Sequence, residues 1–335
     1  MSGISLNRWN RLLTPASVAC CFLAFALSAQ AAPPLTAGNP ILLPGAHGGF
    51  DFIRVDASAH RLLLDQEKGN TAFNVFDLNT RKLVKRVPTG TTQDAAVDRK
   101  HERYYISGND PGRMLIASRT SLRLIGEVPL PTPTNLIGYS PVTGMVYETS
   151  DTTPRIWVID PDTRKVTATI TLKGSGMQEL AFDPSYKRIF QAVKFANTIT
   201  VIDPATNKIL HVWSLAPGTL PHGIAIVPEG DGLLVACNGI LVLMNRSTGK
   251  IMDRAKIAPD VDEIAYDSST HRVYCASKDG EISVVRVSGN ALTSLGSVPD
   301  EKTTHSIAVD PNTHTVWIAY AKGNQSFVQP FTPTE

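Results

Sequence analysis

The chain is poor in cysteine, in aromatic residues and in net charge, and each shortage removes a class of explanation. Of 335 residues only four are cysteine. Cys20 and Cys21 fall in the N-terminal apolar run, and Cys237 and Cys275 alone are too few for a disulfide scaffold of this size. A packed core must therefore carry the stability. Aromatic residues make up 7%, and those near the predicted loop face, Phe50, Phe52 and Phe195, are too few for a base-stacking platform. The only long apolar run, Val18 to Leu27, has ten residues, about half of the ~20 that cross a bilayer. No G-x-S-x-G elbow, H-E-x-x-H, C-x-x-C or phosphate-cradling G-x-x-x-x-G-K-[ST] occurs. Gly174-Ser175-Gly176 begins like a dinucleotide fingerprint, but Glu179 stands where its third glycine belongs. Helical periodicity is missing after the leader, so the class is all-β.

Residues 1–31 read as a secretory signal peptide. Arg8 and Arg11 precede the apolar run without any acid, and Ser28-Ala29-Gln30-Ala31 supplies a small-residue cleavage site. Cys20 sits inside the apolar run, with Ser17 where a lipobox needs a large aliphatic residue, so soluble export to the periplasm or medium is expected. Cleavage leaves residues 32–335 as one domain. The 32 basic residues lose the two leader arginines and then equal the 30 acids. A mature protein without net charge is not a general polyanion binder.

The remaining chain repeats itself. A short apolar stretch, a turn with Asp or Pro and a second apolar stretch recur as FIRVDASAHRLLLD, AAVDRKHERYYIS, LIGYSPVTGMVYET, ELAFDPSYKRIFQA, GIAIVPEGDGLLVAC, EIAYDSSTHRVYCA and SIAVDPNTHTVWIAY. Aligning them on Asp56, Asp98, Ser140, Asp183, Val227, Asp267 and Asp310 gives steps of 42, 42, 43, 44, 40 and 43 residues. Most units add a second hairpin, clearest in RIWVIDPDTRKVTATI and TITVIDPATNKILHVWSL, where Asp-Pro between β-branched runs is turn chemistry. Seven units of four short strands predict a seven-bladed β-propeller. The seventh unit lacks an obvious fourth strand, and Ile41 to Leu43 are expected to supply it from the N-terminus, closing the ring and covering an open edge.

Through its VxxDP turns and the IWVIDPDTRKV and ITVIDPATNKI stretches, the chain resembles the periplasmic YncE-like proteins of the YVTN-repeat propeller group. The likeness spans essentially the whole mature chain, although the literal YVTN strand end survives only as YYIS, VYET, IFQA, LVAC, VYCA and VWIA. It implies an exported seven-bladed propeller and leaves nucleic-acid and small-ligand binding both open. Fold alone does not choose between them.

In a propeller the innermost strands line a central channel, so residues at its mouth recur once per unit. Five positions before each aligned turn residue stand Asp51, Gln93, Asn135, Gln178, His222, Asp262 and His305, all polar. The next column, Phe52, Asp94, Leu136, Glu179, Gly223, Glu263 and Ser306, is mixed. Units 5, 6, 7 and 1 are contiguous around the ring and place His222, Asp262, His305 and Asp51 side by side, with His47 near the same entrance. Two imidazoles and two carboxylates form a candidate divalent-metal or acid–base constellation; a solvated channel mouth is the alternative. On the same face Lys68, Arg113, Arg155, Lys194, Lys278 and Lys322 form a basic loop rim, interleaved with Asn70, Asn109, Asn197, Asn238 and Asn324. His60, His101, His271 and His314 fall in turns of the opposite face and His211 on an outer strand, where ordinary surface roles are expected. Cys237 and Cys275, on adjacent blades, are expected to be free buried thiols.

These features favour an exported, non-enzymatic binding or interaction module, expected to be monomeric, with no membrane span and no certain cofactor. It would present the polar mouth and basic rim to a small molecule or protein partner. A metal-assisted lactonase-type hydrolase using the His/Asp cluster and a divalent ion is the first alternative. Single-stranded DNA binding by the rim is the second.

Overall fold

The computed structural model describes residues 1–3 and 32–334. The expected leader therefore lies, apart from its first three residues, outside the described residues. Residues 33–334 form one compact unit of seven antiparallel sheets, built as the 42-residue period predicts. Blade 1 runs through Phe50–Asp56, Arg61–Gln66, Phe73–Asp77 and Lys82–Val87. The same succession of four strands repeats in blades 2 to 6, whose innermost strands begin at Thr92, Thr134, Met177, Ile224 and Val261.

Blade 7 takes three strands from the C-terminal end, Ser306–Val309, Val316–Lys322 and Gln325–Pro333, and its outer strand from the N-terminal side. That strand is longer than the expected Ile41–Leu43 and comes in two pieces. Leu35–Ala37 pairs with Phe331–Pro333, and Ile41–Leu42 pairs with Phe327 and Val328. Gly38 and Leu43 continue the bonding to Pro330 O and Ser326 O. The ladder breaks at Pro40, which has no N–H to donate.

Apolar side chains on the two faces of each blade pack against the neighbouring blades. Seven clusters result, one for each blade junction. The cluster joining blade 7 to blade 1 buries Leu43, Phe50, Leu62, Phe76, Trp317 and Val328, and so closes the ring through its core as well as its strands.

Charged pairs reinforce the junctions on the face opposite the predicted mouth. The aligned turn aspartates are buried and cap their own turns, as Asp267 does for Ser269 and Thr270. Two also receive a cation from the next blade, Asp56 from Arg119 at 2.6 Å and Asp183 from Arg246 at 2.9 Å, and Asp267 meets the His314 imidazole of the next blade at 2.9 Å. His101 lies 2.7 Å from buried Asp98. Two of the turn histidines expected to be ordinary surface residues are thus partners of buried carboxylates, His101 of the Asp in its own turn and His314 of the turn Asp on the preceding blade. Replacing His314 by alanine should lower the unfolding free energy by roughly 1.5–3 kcal/mol, the range for a hydrogen bond to a charged group, measured by urea titration at pH 6. Replacing exposed His211 should change it by less than about 0.5 kcal/mol.

Cys237 and Cys275 are free and buried, and burial pushes the Cys237 thiol up to about 12. A thiol so far above neutrality is a poor nucleophile.

Candidate functional site at the channel mouth

The seven polar mouth residues sit where the innermost strands are irregular. In blades 1, 2, 3, 4 and 6 the ladder skips two residues between Phe50 and Ile53, Thr92 and Ala95, Thr134 and Ile137, Met177 and Leu180, and Val261 and Ile264. Asp51, Gln93, Asn135, Gln178 and Asp262 are the first residues of these bulges. In blades 5 and 7 the strand begins just after His222 and His305. A bulge releases a residue from the ladder and re-aims its side chain, which explains why one polar column recurs beside apolar strand residues.

Asp51, His222, Asp262 and His305 come together around Asp262. One Asp262 oxygen lies 2.6 Å from His222 Nδ1, and the other receives the Lys278 ammonium and lies 3.9 Å from His305 Nε2. His305 Nε2 is 3.8 Å from Asp51 Oδ1. The opposite ring nitrogen, Nδ1, bonds to Thr303 O at 2.9 Å. A carbonyl only accepts, so Nδ1 carries the hydrogen and Nε2 is left facing two carboxylates. Burial opposes ionisation of Asp262, but His222, Lys278 and His305 hold its carboxyl well below the usual range. Burial pushes Asp51 up to about 6 against the pull of His305. Burial alone would lower His305, and Asp51 and Asp262 raise it instead.

A cavity of about 510 Å³ opens beside this cluster, lined by Phe50, Asp51, Glu67, Lys68, Asp262, Lys278, His305 and Tyr320 among others. His222 lines a separate, smaller pocket with Lys194 and Asn238. Asn135 is committed to Met177 O of the next blade at 2.9 Å. Gln93 and Gln178 are half-buried and make no side-chain hydrogen bond among the described residues. His47 is occupied in lacing the closing strand to the loops, through Asn324 O and Asn70.

Half of the basic rim is compensated by acids. Lys68 pairs with Glu67 at 2.6 Å, Lys322 with Glu301 at 2.8 Å and Lys278 with Asp262. Arg113 donates to Thr89 O. Lys194 lies 5.7 Å from the centre of the exposed Phe195 ring, and neither Lys194 nor the exposed Arg155 has an acidic partner among the described residues.

Sequence reasoning missed the charge at the centre of the channel. Arg54 pairs with Asp94 at 2.9 Å, Glu179 at 2.7 Å and Glu263 at 3.4 Å, so one guanidinium joins blades 1, 2, 4 and 6. Those acids belong to the column read as mixed, where they occupy every second blade. Each also reaches the innermost strand of the following blade: Asp94 accepts from Ile137 N, Glu179 from Ile224 N and Glu263 from Ile307 N, and Glu263 also accepts from Ile53 N of blade 1. An innermost strand is a sheet edge whose inward N–H groups lack a partner strand, and the carboxylates satisfy them. Burial pushes Glu179 and Glu263 upward, with Arg54 opposing. The sequence did carry a signal. Two positions before each aligned turn residue stand Arg54, Ala96, Gly138, Ala181, Ala225, Ala265 and Ala308. Blades converge near the axis, so small residues fill this column, and one arginine among them has to extend into the channel.

The expected metal set, Asp51, His222, Asp262 and His305, converges as an ion-pair network. Among the described residues no three His, Cys, Asp or Glu side chains are arranged to hold a metal ion, and the Lys278 ammonium stands on Asp262.

No protein-family model matches the chain, and no curated protein matches it. Solved structures do. The chain is similar to hydrazine synthase of Kuenenia stuttgartiensis, at 14% identity and TM-score 0.74, over 87% of this chain and 99% of that one. It is similar to the WD40 repeats of RRP9, at 11% identity and TM-score 0.75, over 89% and 100%. The match to U3-55K has 11% identity and TM-score 0.74, over 88% and 98%. The fold is a seven-bladed β-propeller. At such identities the likeness extends to the architecture and no further.

Proposed function

We propose that the chain is an exported, non-enzymatic binding module whose working surface is the mouth cavity. The observation that carries this reading is a cavity of about 510 Å³ with charged groups of both signs on its wall, within the size range of small-molecule sites, roughly 300–1,000 Å³. The leader-like N-terminus and the resemblance to YncE-like propellers support the exported setting. Binding is favoured over metal-assisted hydrolysis because Lys278 stands on Asp262 where a cation would sit. It is favoured over single-stranded DNA because Glu67, Glu301 and Asp262 neutralise half of the rim, and counterion release needs uncompensated cations.

Thermal-shift screening against a panel of small cations, anions and neutral polyols tests the reading. At least one compound should raise the melting temperature of the parent, and the rise should vanish in Ala321→Trp, which fills the cavity wall. A panel with no active member, or a shift that persists in Ala321→Trp, removes the cavity as the working surface.

A further inference from the structure

The charges around the cavity are not evenly satisfied, and the imbalance has a sign. Lys68 is paired with Glu67 at 2.6 Å and Lys278 with Asp262. Both fixed cations of the wall therefore have a carboxylate already. Asp51 does not have a cation in the same way. Its nearest positive group, His305 Nε2, is 3.8 Å away, beyond hydrogen-bond distance, and no side chain or backbone N–H donates to its carboxylate among the described residues. The wall holds three acids, Asp51, Glu67 and Asp262, against two fixed cations, Lys68 and Lys278. Asp51 and Asp262 favour the protonated form of His305, which balances the wall; once His305 gives up that proton the cavity is one positive charge short.

The other mouth and channel acids show how this fold treats a buried carboxylate. Asp262 has Lys278 and His222. Asp94, Glu179 and Glu263 have Arg54 and backbone N–H groups. Asp51 is the mouth carboxylate left without a donor, and it faces the cavity. Next to it, Ala319, Ala321 and Tyr320 form an apolar stretch of wall, with the Tyr320 ring fixed by stacking on Phe327 at 5.6 Å.

Building on the binding reading above, we infer that the cavity takes a small organic monocation, its ammonium group bonded to Asp51 with Glu67 alongside and its short aliphatic body against Ala319, Ala321 and Tyr320. An anion fits less well. It would have to separate Lys68 or Lys278 from its own carboxylate and would come to rest beside Asp51. Charge-assisted N–H to carboxylate bonds are among the stronger polar contacts, and here one would form in a partly enclosed site.

The experiment is calorimetric titration of the full mature protein at pH 8 with n-butylammonium, butyrate and 1-butanol, three probes of one size and different charge. Butylammonium should bind, butyrate and butanol should not, and Asp51→Asn should weaken butylammonium at least tenfold. Because Asp51 is costly to ionise where it sits, Asp51→Asn should melt no lower than the parent, which separates lost binding from lost folding. Glu67→Gln gives a second reading, a smaller loss in the same direction. Binding of butyrate in place of butylammonium overturns the inference and leaves the cavity a binding site. So does butylammonium binding that Asp51→Asn does not change. If no probe binds while a panel compound still acts through the cavity wall, the cation class is wrong and the binding reading stands. If nothing acts through the cavity at all, both are wrong.

Discussion

Arg54→Met is expected to destabilise the propeller by about 3–5 kcal/mol, the usual cost of removing one partner from a buried ion pair. The substitution keeps most of the side-chain volume and deletes the one cation shared by Asp94, Glu179 and Glu263. These acids are buried, so they cannot exchange the guanidinium for water. They must instead take up protons or leave the positions from which they bond the neighbouring innermost strands. The pH dependence identifies the cause. In Arg54→Met the folded-state pKa values of Glu179 and Glu263, already raised by burial in the parent, lose the opposing pull of Arg54 and rise further. Stability that depends on their neutral forms is fully present below the unfolded carboxylate range and is lost as pH rises through the raised folded values. The variant should therefore recover part of its deficit on going from pH 8 to pH 5. A packing defect of the same size would show no such recovery. Urea unfolding at both pH values makes the comparison, and an equal deficit at both would assign the loss to packing alone. Arg54→Lys should fall between the two, since an ammonium keeps the charge but cannot span three carboxylates in a fixed fork.

How much of this arrangement the sequence discloses depends on whether a feature repeats. The turn aspartates, the seven-fold spacing and the polar mouth column recur in unit after unit, and the structure places them where periodicity implies. The four mouth residues could be put side by side because neighbouring units must be neighbouring blades. What escaped were features that occur once or alternate. Arg54 is a single departure from a column of alanine and glycine. The carboxylates of blades 2, 4 and 6 look like noise unless the column is read with a period of two units. Loop positions were harder again. Lys278 was grouped with the rim by its place in the unit, yet its flexible stem carries the ammonium inward to Asp262, and periodicity does not report where a long side chain goes. The two-piece closing strand has a similar origin, since strand pairing across the chain ends depends on which backbone groups remain free and not on a repeated pattern.

Glu148→Gln should stabilise the protein at pH 8 and not at pH 5. Glu148 lies on the second strand of blade 3, fully buried, with neither carboxyl oxygen hydrogen-bonded among the described residues. Burial pushes it up to about 8, with Thr134 and Ser107 opposing and Asp94 adding repulsion. In the folded protein it therefore holds a proton that the unfolded chain has released above the ordinary carboxylate range. The stability carried by the neutral form is complete below that range and is lost as pH rises toward about 8. Each unit of difference amounts to about 1.4 kcal/mol, so the penalty at pH 8 reaches several kcal/mol, while at pH 5 most of it is absent. A glutamine has no proton to lose and has a precedent in the same fold, because Gln191 occupies the equivalent position of blade 4, opposite Leu180 as Glu148 is opposite Ile137. Its amide can face the Ser107 and Thr134 hydroxyls. A gain of about 2–3 kcal/mol at pH 8 corresponds to a rise of roughly 3–5 °C in melting temperature for a domain of about 300 residues. Melting curves of parent and variant at pH 5 and pH 8 give the answer, and a gain that is equal at both would mean that Glu148 is already ionised in the fold and satisfied by something other than a proton.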